Sequence, residues 1–192
     1  MRLPEIDRGD SLGNRLLISF ISLVAGMRLP DAARVAFYHR DFLGVLGEWT
    51  QATMRGPSPW SVGERELMAA LVAKWNSCAF CVGAHRATSA RGLSQATVDA
   101  ALADYHTAPL PLGLIATLSF LEKLTRTPDD VTAADAALVL QAGVTPEALT
   151  DAVAVATLFA VVTRHADALQ FALPSEAEFD KAATMLLKRG YA

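Results

Sequence analysis

Both cysteines of this 192-residue chain, and one of its four histidines, lie in the short stretch CAFCVGAH. Cys78 and Cys81 stand three positions apart, and His85 follows four positions after Cys81. Residues of these types at this spacing suit three kinds of site. They could be a redox-active dithiol, part of a metal site, or two small buried apolar side chains beside an unrelated histidine.

The surrounding pattern predicts that a helix begins close to Cys78, because the helical pattern of the preceding segment is lost just before it. At a helix N-terminus, unpaired backbone N–H groups and the positive end of the dipole favour a thiolate. The spacing then places Cys78, Cys81 and His85 on one helical face. An imidazole on that face could accept a thiol proton or stabilise the thiolate.

A carboxylate is predicted to join this group. Glu66 lies twelve positions before Cys78, on the helix just upstream and beside its apolar face of Leu67, Ala70 and Leu71. Taken alone, such a glutamate is more often an exposed helix charge. If the two helices pack against each other, however, its carboxylate reaches the imidazole and completes a Glu–His–Cys proton relay.

Helix signals recur along the whole chain, and no run of β-branched residues alternates with polar ones, so we predict an all-α fold. Capping boxes at Ser61 with Glu64 and at Ser175 with Glu178 mark two helix starts, and Thr145 before Pro146 marks a third. We expect a single domain over residues 1–192. Its nine helices would span about 10–26, 31–54, 61–75, 78–92, 94–103, 112–125, 132–141, 145–171 and the residues after 175.

Composition narrows the function classes. The chain is 52% apolar and only 19% charged, with a net charge of −3. Without a basic patch, nucleic acid is not an expected partner. The apolar excess predicts a homo-oligomer. The longest apolar run, 16–27, is too short for a membrane span, and the first residues do not resemble a signal peptide. A lone C-x-x-C pair favours a cytoplasmic, reducing location.

The pattern E-x11-C-x2-C-x3-H, formed by Glu66, Cys78, Cys81 and His85, resembles the signature of the alkylhydroperoxidase D (AhpD)-like group. That group belongs to the carboxymuconolactone decarboxylase family. The stretch ERELMAALVAKWNSCAFCVGAHRATSARGLS around the motif is similar to these proteins throughout. The resemblance covers roughly residues 35–170 and is weaker at both ends.

The resemblance implies an all-helical thiol oxidoreductase, an AhpD-like bundle that assembles as a trimer or hexamer. It implies that Cys81 attacks a hydroperoxide, that Cys78 resolves the sulfenic acid to a disulfide, and that His85 and Glu66 relay the proton. A dithiol such as protein-bound lipoamide is the implied reductant, and neither cofactor nor metal is implied. The helix-terminus argument favours Cys78 as the more acidic thiol, whereas the proximity of His85 favours Cys81 as the attacking one.

The sequence departs from the family pattern at Phe80, where AhpD itself has a second histidine directly before the second cysteine. That departure predicts slower peroxidase turnover or another substrate. The alternatives are a disulfide reductase, an oxidant-sensing helical protein without turnover, and a zinc site built on Cys78, Cys81 and His85. A zinc site lacks a fourth ligand, and a lactone decarboxylase would lack the redox dithiol.

Other residues near the motif have simpler interpretations. His39 and His165 are expected to be packing or interface residues. Trp60 and Trp75 flank the motif helices, where they could wall off the site or simply pack in the core.

Overall fold

The computed structural model describes residues 1–38 and 40–191, and within them it contains eleven α-helices, one 3-10 helix and no strand. The all-α prediction is confirmed. The elements are α1 Pro4–Arg8, α2 Leu12–Ala25, α3 Asp31–Tyr38, α4 Arg40–Arg55, α5 Val62–Trp75, α6 Ala79–Ser89, α7 Gln95–Asp104, α8 Leu112–Arg126, the 3-10 helix Pro128–Asp130, α9 Ala133–Gln141, α10 Pro146–Leu169 and α11 Glu176–Arg189.

The predicted number of helices was too low by two. The short helix α1 was missed; it has Pro4 in its first turn and ends at Gly9, whose φ of +92° favours glycine. The single helix expected over 31–54 is two helices, α3 and α4, which contact each other. His39 lies outside the described residues.

Helix α5 is the centre of the bundle and is buried on all sides from Arg65 to Ala73. It packs against α6, α10, α8, α7 and α4. Its alanines are small enough for neighbouring helices to approach from every direction, so the exposed face expected of an amphipathic helix is missing. The polar side chains within this stretch, Arg65 and Glu66, are therefore held inside the protein.

Helices α5 and α6 form a tight antiparallel hairpin that positions the motif residues. Ser77, with φ of +62°, takes the left-handed conformation between them, and the N–H of Cys78 donates to the carbonyl of Ala73 over 2.9 Å. At the far end of the hairpin, Ser89 Oγ donates to the carbonyl of Gly63 over 2.9 Å. The hairpin is thus fixed at both ends.

Helix α10 is long and apolar enough to cross a membrane by length and composition alone. Its side chains Val155, Leu158 and Phe159 are buried in the main core with residues of α5 and α8. This packing is typical of the central helix of a soluble bundle.

Helix α11 covers one face of α6. Phe179 lies directly over Gly83, so closely that a Cβ at position 83 would overlap its ring. Phe179 and Ala183 form a small cluster there with Ala87. The capping box predicted at Ser175 and Glu178 starts this helix.

Candidate active site

Glu66 and His85 are brought together by the α5–α6 hairpin. Glu66 Oε2 lies 2.6 Å from His85 Nδ1, and the residues are 0% and 6% exposed. The His85 ring also meets Phe159 edge-to-face, with centroids 4.3 Å apart, which fixes its plane. The contact predicted between these side chains is therefore present, and the carboxylate is fully buried rather than an exposed helix charge.

Two residues that the sequence did not indicate hold the other carboxylate oxygen. Arg55 Nη2, from α4, lies 2.8 Å from Glu66 Oε1. The Tyr191 hydroxyl donates to the same oxygen over 2.9 Å. Burial alone would raise the pKa of Glu66, but the hydrogen bond from His85 and the charge of Arg55 act against it, and the pKa is lowered. Glu66 is accordingly a buried carboxylate.

Both cysteines are free thiols, with Cys78 0% and Cys81 2% exposed. Cys78 is the N-cap residue of α6, as the sequence predicted, and Cys81 lies in the first turn. They cluster with Ala73 and Ala166 in an apolar environment. The dithiol is therefore placed at a helix N-terminus but is shielded from water.

The two thiols influence each other in opposite directions. The hydrogen bond from the Cys81 thiol lowers the pKa of Cys78, against the effects of burial and of Asp167. The same hydrogen bond, together with burial, raises the pKa of Cys81. Of the two thiols, Cys78 is therefore the one that ionises more readily. Asp167, a further residue that sequence reasoning missed, opposes charge on both sulfurs.

No hydrogen bond joins His85 to either sulfur among residues 1–38 and 40–191. The histidine nonetheless lies one helical turn after Cys81 on the same side of α6, where residues four positions apart are neighbours. In the resting state the structure thus has two adjoining units, the Cys78–Cys81 pair and the Glu66–His85 pair.

Aromatic side chains cover the dithiol. Phe80 and Phe171, both partly exposed, pack against the cysteine cluster and meet each other edge-to-face at 5.2 Å. Phe80 occupies the position of the second AhpD histidine, and here it packs against Phe171 and Phe179. The surroundings of the sulfurs are consequently apolar and aromatic.

A groove of about 690 Å³ lies on the neighbouring face of α6, between that helix and the start of α11. Its apolar floor includes Val82, Gly83 and Phe179, and Lys74 and Arg86 contribute cations at its edge. Its lining residues adjoin both cysteines in sequence, so the groove is the nearest described cavity to the dithiol.

A three-ligand metal site is not formed by the described residues: no group of three His, Cys, Asp or Glu side chains is placed to hold an ion there. Trp60 and Trp75 pack with the main core and not with the cysteine cluster. Trp60 Nε1 donates to the carbonyl of Ala148 over 2.6 Å, and Trp75 packs against Tyr105. Both belong to the core, while His165 contacts Phe171.

Comparisons with known proteins identify the fold. No family model matches the chain, and no curated protein matches it. A solved structure of an uncharacterized peroxidase-related protein from Silicibacter sp. TM1040 has a TM-score of 0.77, at 22% identity over 93% of each chain. An uncharacterized peroxidase-related protein from Ralstonia eutropha JMP134, described as an alkylhydroperoxidase AhpD core, has a TM-score of 0.76. It is 23% identical over 93% of this chain and 94% of its own.

The apo debrominase Bmp8 is also similar, with a TM-score of 0.71 at 14% identity over 91% of this chain and 94% of its own. A cysteine-to-alanine variant of that debrominase, in complex with 2,3,4-tribromopyrrole, has a TM-score of 0.68 at 14% identity over 94% and 92%. The chain therefore has the AhpD-like all-α fold, which occurs both in peroxidase-related proteins and in a debrominase.

Proposed function

We propose that the protein is a thiol-dependent oxidoreductase that reduces an organic hydroperoxide through a Cys78–Cys81 disulfide. The observation that carries this proposal is the combination of a buried dithiol at the start of α6 with the Glu66–His85 pair one turn away. A structural cysteine pair needs no base beside it, and a buried carboxylate is costly unless it has a role or good partners.

In the first step Cys81 attacks the hydroperoxide. Since its pKa is raised, its proton must first leave, and His85 is the adjacent base. The sulfur bonds to the terminal oxygen, the O–O bond breaks, and the departing alkoxide takes the proton from His85. Cys81 becomes a sulfenic acid and the substrate becomes an alcohol.

In the second step Cys78 attacks the Cys81 sulfur. The lowered pKa of Cys78 makes it the more readily ionised thiol for this displacement. The S–S bond forms, and hydroxide leaves and is protonated to water. The dithiol has then supplied two electrons for one hydroperoxide. An external dithiol, of which protein-bound lipoamide is one example, reduces the disulfide and restores the thiols. The proposal places this cycle in the reducing cytosol.

The apolar surroundings support an organic rather than a small polar peroxide. The partly exposed residues that pack against the dithiol cluster are all apolar: Phe80, Val82, Val162 and Phe171. A substrate that reaches the sulfurs therefore contacts aromatic and aliphatic side chains. A hydroperoxide with an aromatic or alkyl group gains from that contact, whereas hydrogen peroxide does not.

A halogenated aromatic compound is a second candidate substrate. The aromatic cover over the thiols and the similarity in fold to a debrominase favour it. The electrons balance in the same way, because an aryl bromide and two thiols give the arene, a disulfide and hydrogen bromide. A disulfide reductase or an oxidant sensor without turnover would use the same dithiol.

The deciding experiment is a substrate panel with dihydrolipoamide, thioredoxin or glutathione as reductant. Cumene hydroperoxide, hydrogen peroxide and 2,3,4-tribromopyrrole are compared, and alcohol, water or bromide production is followed. We expect catalytic reduction of cumene hydroperoxide, faster than that of hydrogen peroxide. Bromide release without hydroperoxide turnover would favour the second candidate, and turnover of neither would reject both.

The roles of the two cysteines are tested with single variants. Cys78→Ser should retain attack but not resolution, so one equivalent of hydroperoxide should leave a sulfenic acid on Cys81 that dimedone traps. Cys81→Ser should leave no trapped product. The opposite pattern would assign attack to Cys78, whose thiolate is favoured at rest.

A further inference from the structure

We infer that Arg55 and Tyr191 are positioning residues that keep His85 a neutral base with its proton on Nδ1. This inference builds on the proposed function, because a neutral imidazole is what the proton transfer from Cys81 requires. Both residues act through Glu66, which separates them from His85.

The charge balance of the buried cluster carries the argument. Glu66 is fully buried, the Arg55 side chain is 11% exposed and the His85 side chain is 7% exposed. Arg55 and Glu66 cancel, and Arg65, a second buried guanidinium that interacts with both, has the attractive charge of Asp151 beside it. A proton on His85 would therefore leave a net buried charge. Without Arg55, Glu66 would instead need the imidazolium as its partner. Arg55 therefore favours neutral His85.

Arg55 acts mainly through its charge. Its Nη2 lies within 2.8 Å of Glu66 Oε1, yet its Nε and Nη2 make no well-directed hydrogen bond to any described residue. Its guanidinium also lies over the ring of Tyr191, 4.8 Å from the centroid. A lysine at this position would preserve the charge, whereas a glutamine would preserve only polarity and part of the volume.

Tyr191 fixes the orientation of the Glu66 carboxylate. Its hydroxyl occupies Oε1, which leaves Oε2 for His85. Burial, and the neighbouring Glu66 charge, raise the pKa of Tyr191 well above its usual value, so the hydroxyl remains a donor throughout the working pH range. The Tyr191 N–H donates to Gln51 Oε1 over 2.7 Å, and Gly190, with φ of +77°, provides the turn that places it there.

The charged groups around His85 come from two helices, and the buried Arg65 of α5 interacts electrostatically with Glu66 and Arg55 as well. Glu66 comes from α5 and Arg55 from α4, while α10 contributes the uncharged Phe159. Cys81 precedes it on α6 itself, and Asp167 of α10 acts on the thiols. Because the carboxylate accepts from Nδ1, the lone pair of a neutral ring lies on Nε2, the nitrogen free for a proton from sulfur.

The test is ¹⁵N NMR of the histidine ring, in protein labelled at histidine, with the His85 signal assigned by its loss in His85→Gln. This readout does not depend on any substrate. Wild type at pH 7 should show the neutral ring protonated on Nδ1. Arg55→Gln should move the ring towards imidazolium at the same pH. In a plot of thiol oxidation rate against pH, the fall in rate on the acid side should move to higher pH by roughly one unit or more. Arg55→Lys should retain the wild-type pattern.

Tyr191→Phe should also move the His85 ring towards imidazolium, but by less than Arg55→Gln does. It should also slow the oxidation of the thiols. Its matched control is Tyr105→Phe. The Tyr105 hydroxyl donates a hydrogen bond of 2.7 Å to a different carboxylate, that of Glu122, so this variant loses the same kind of contact without touching Glu66. Imidazolium in the wild type at pH 7 would overturn the inference, and so would an unchanged ring in Tyr191→Phe. An unchanged ring in Arg55→Gln would overturn it as well, and if that variant does not fold, the wild-type and Tyr191→Phe spectra still decide the test. Absence of peroxidase activity with the expected spectra would reject the proposed function alone.

Discussion

Gly63 and Gly92 meet backbone to backbone where the start of α5 passes the residues after α6. A Cβ at Gly92 would lie 2.9 Å from the Gly63 Cα, and one at Gly63 would lie 3.0 Å from the Gly92 Cα. No side chain fits between them, so the hairpin closes to its full extent only with glycine at both positions. The short distance between Glu66 and His85 depends on that closure.

We therefore predict that Gly92→Ala separates the two helices at this end. The change should lower the free energy of unfolding by about 1–3 kcal/mol, the usual cost of overpacking. It should also slow thiol oxidation, because the carboxylate and imidazole move apart. Denaturant unfolding and the rate of disulfide formation measure the two effects.

Gly44→Ala is the matched control, since nothing lies within 4 Å of a Cβ at that helical position. Alanine there should leave the oxidation rate unchanged. If Gly92→Ala oxidises as fast as Gly44→Ala, the hairpin contact does not govern the site.

The second prediction concerns the relay. Glu66→Gln removes the charge that orients and balances its partners, so the thiols should react at least tenfold more slowly at neutral pH. General-base contributions are typically about 10²–10⁴-fold in rate. The rate is measured by stopped-flow oxidation with cumene hydroperoxide, at a temperature where circular dichroism shows a folded variant.

Glu64→Gln, two positions earlier, serves as the control. Glu64 accepts from the N–H and hydroxyl of Ser61 in the helix cap, so its loss should cost about 1 kcal/mol of stability and no reactivity. Equal oxidation rates for the two variants would make Glu66 a structural carboxylate only.

The local parts of this site follow from the sequence. The capping boxes, the helix start at Cys78 and the common face of Cys78, Cys81 and His85 all depend on residues a few positions apart. Local hydrogen bonding and helical geometry determine such features, which explains why the sequence is sufficient for them.

The partners of Glu66 could not be found in this way. Tyr191 lies 125 positions from it, and Arg55 comes from another helix. Neither residue has a local signal, because their positions result from packing of the whole bundle. The burial of α5 on all sides could be predicted only in part. The apolar face of Leu67, Ala70 and Leu71 indicates packing on one side, whereas a glutamate such as Glu66, taken alone, is more often an exposed helix charge.

A third prediction follows from the lowered pKa of Glu66, whose ordinary value is 4.5. A carboxylate whose pKa is lower in the folded protein than in the unfolded chain stabilises the fold. This contribution is fully present when the pH is above the pKa of the unfolded chain, and it is lost as the pH falls through the pKa of the folded protein. Glu66→Gln lacks this contribution. The difference in unfolding free energy between wild type and variant should therefore shrink as pH falls below 4.5. Urea unfolding at a series of pH values tests it, and a constant difference would contradict it.

The fourth prediction is that the protein is a homo-oligomer associating through α2. One side of that helix exposes five large apolar residues, each more than 60% accessible: Leu12, Leu16, Phe20, Leu23 and Val24. Such a patch is larger than monomeric proteins usually leave in water. Light scattering should give a mass that is a multiple of 20.5 kDa, and Leu16→Glu with Leu23→Glu should reduce it. A 20.5 kDa wild-type species would refute the assembly.

The central claim is that Cys78 and Cys81 cycle between thiols and one disulfide. Intact-mass spectrometry after one equivalent of cumene hydroperoxide tests it most directly. We expect a loss of two hydrogens, a single cross-linked peptide containing both cysteines, and full recovery of the original mass with dihydrolipoamide. A gain of two oxygens on one cysteine, with no cross-linked peptide, would contradict it.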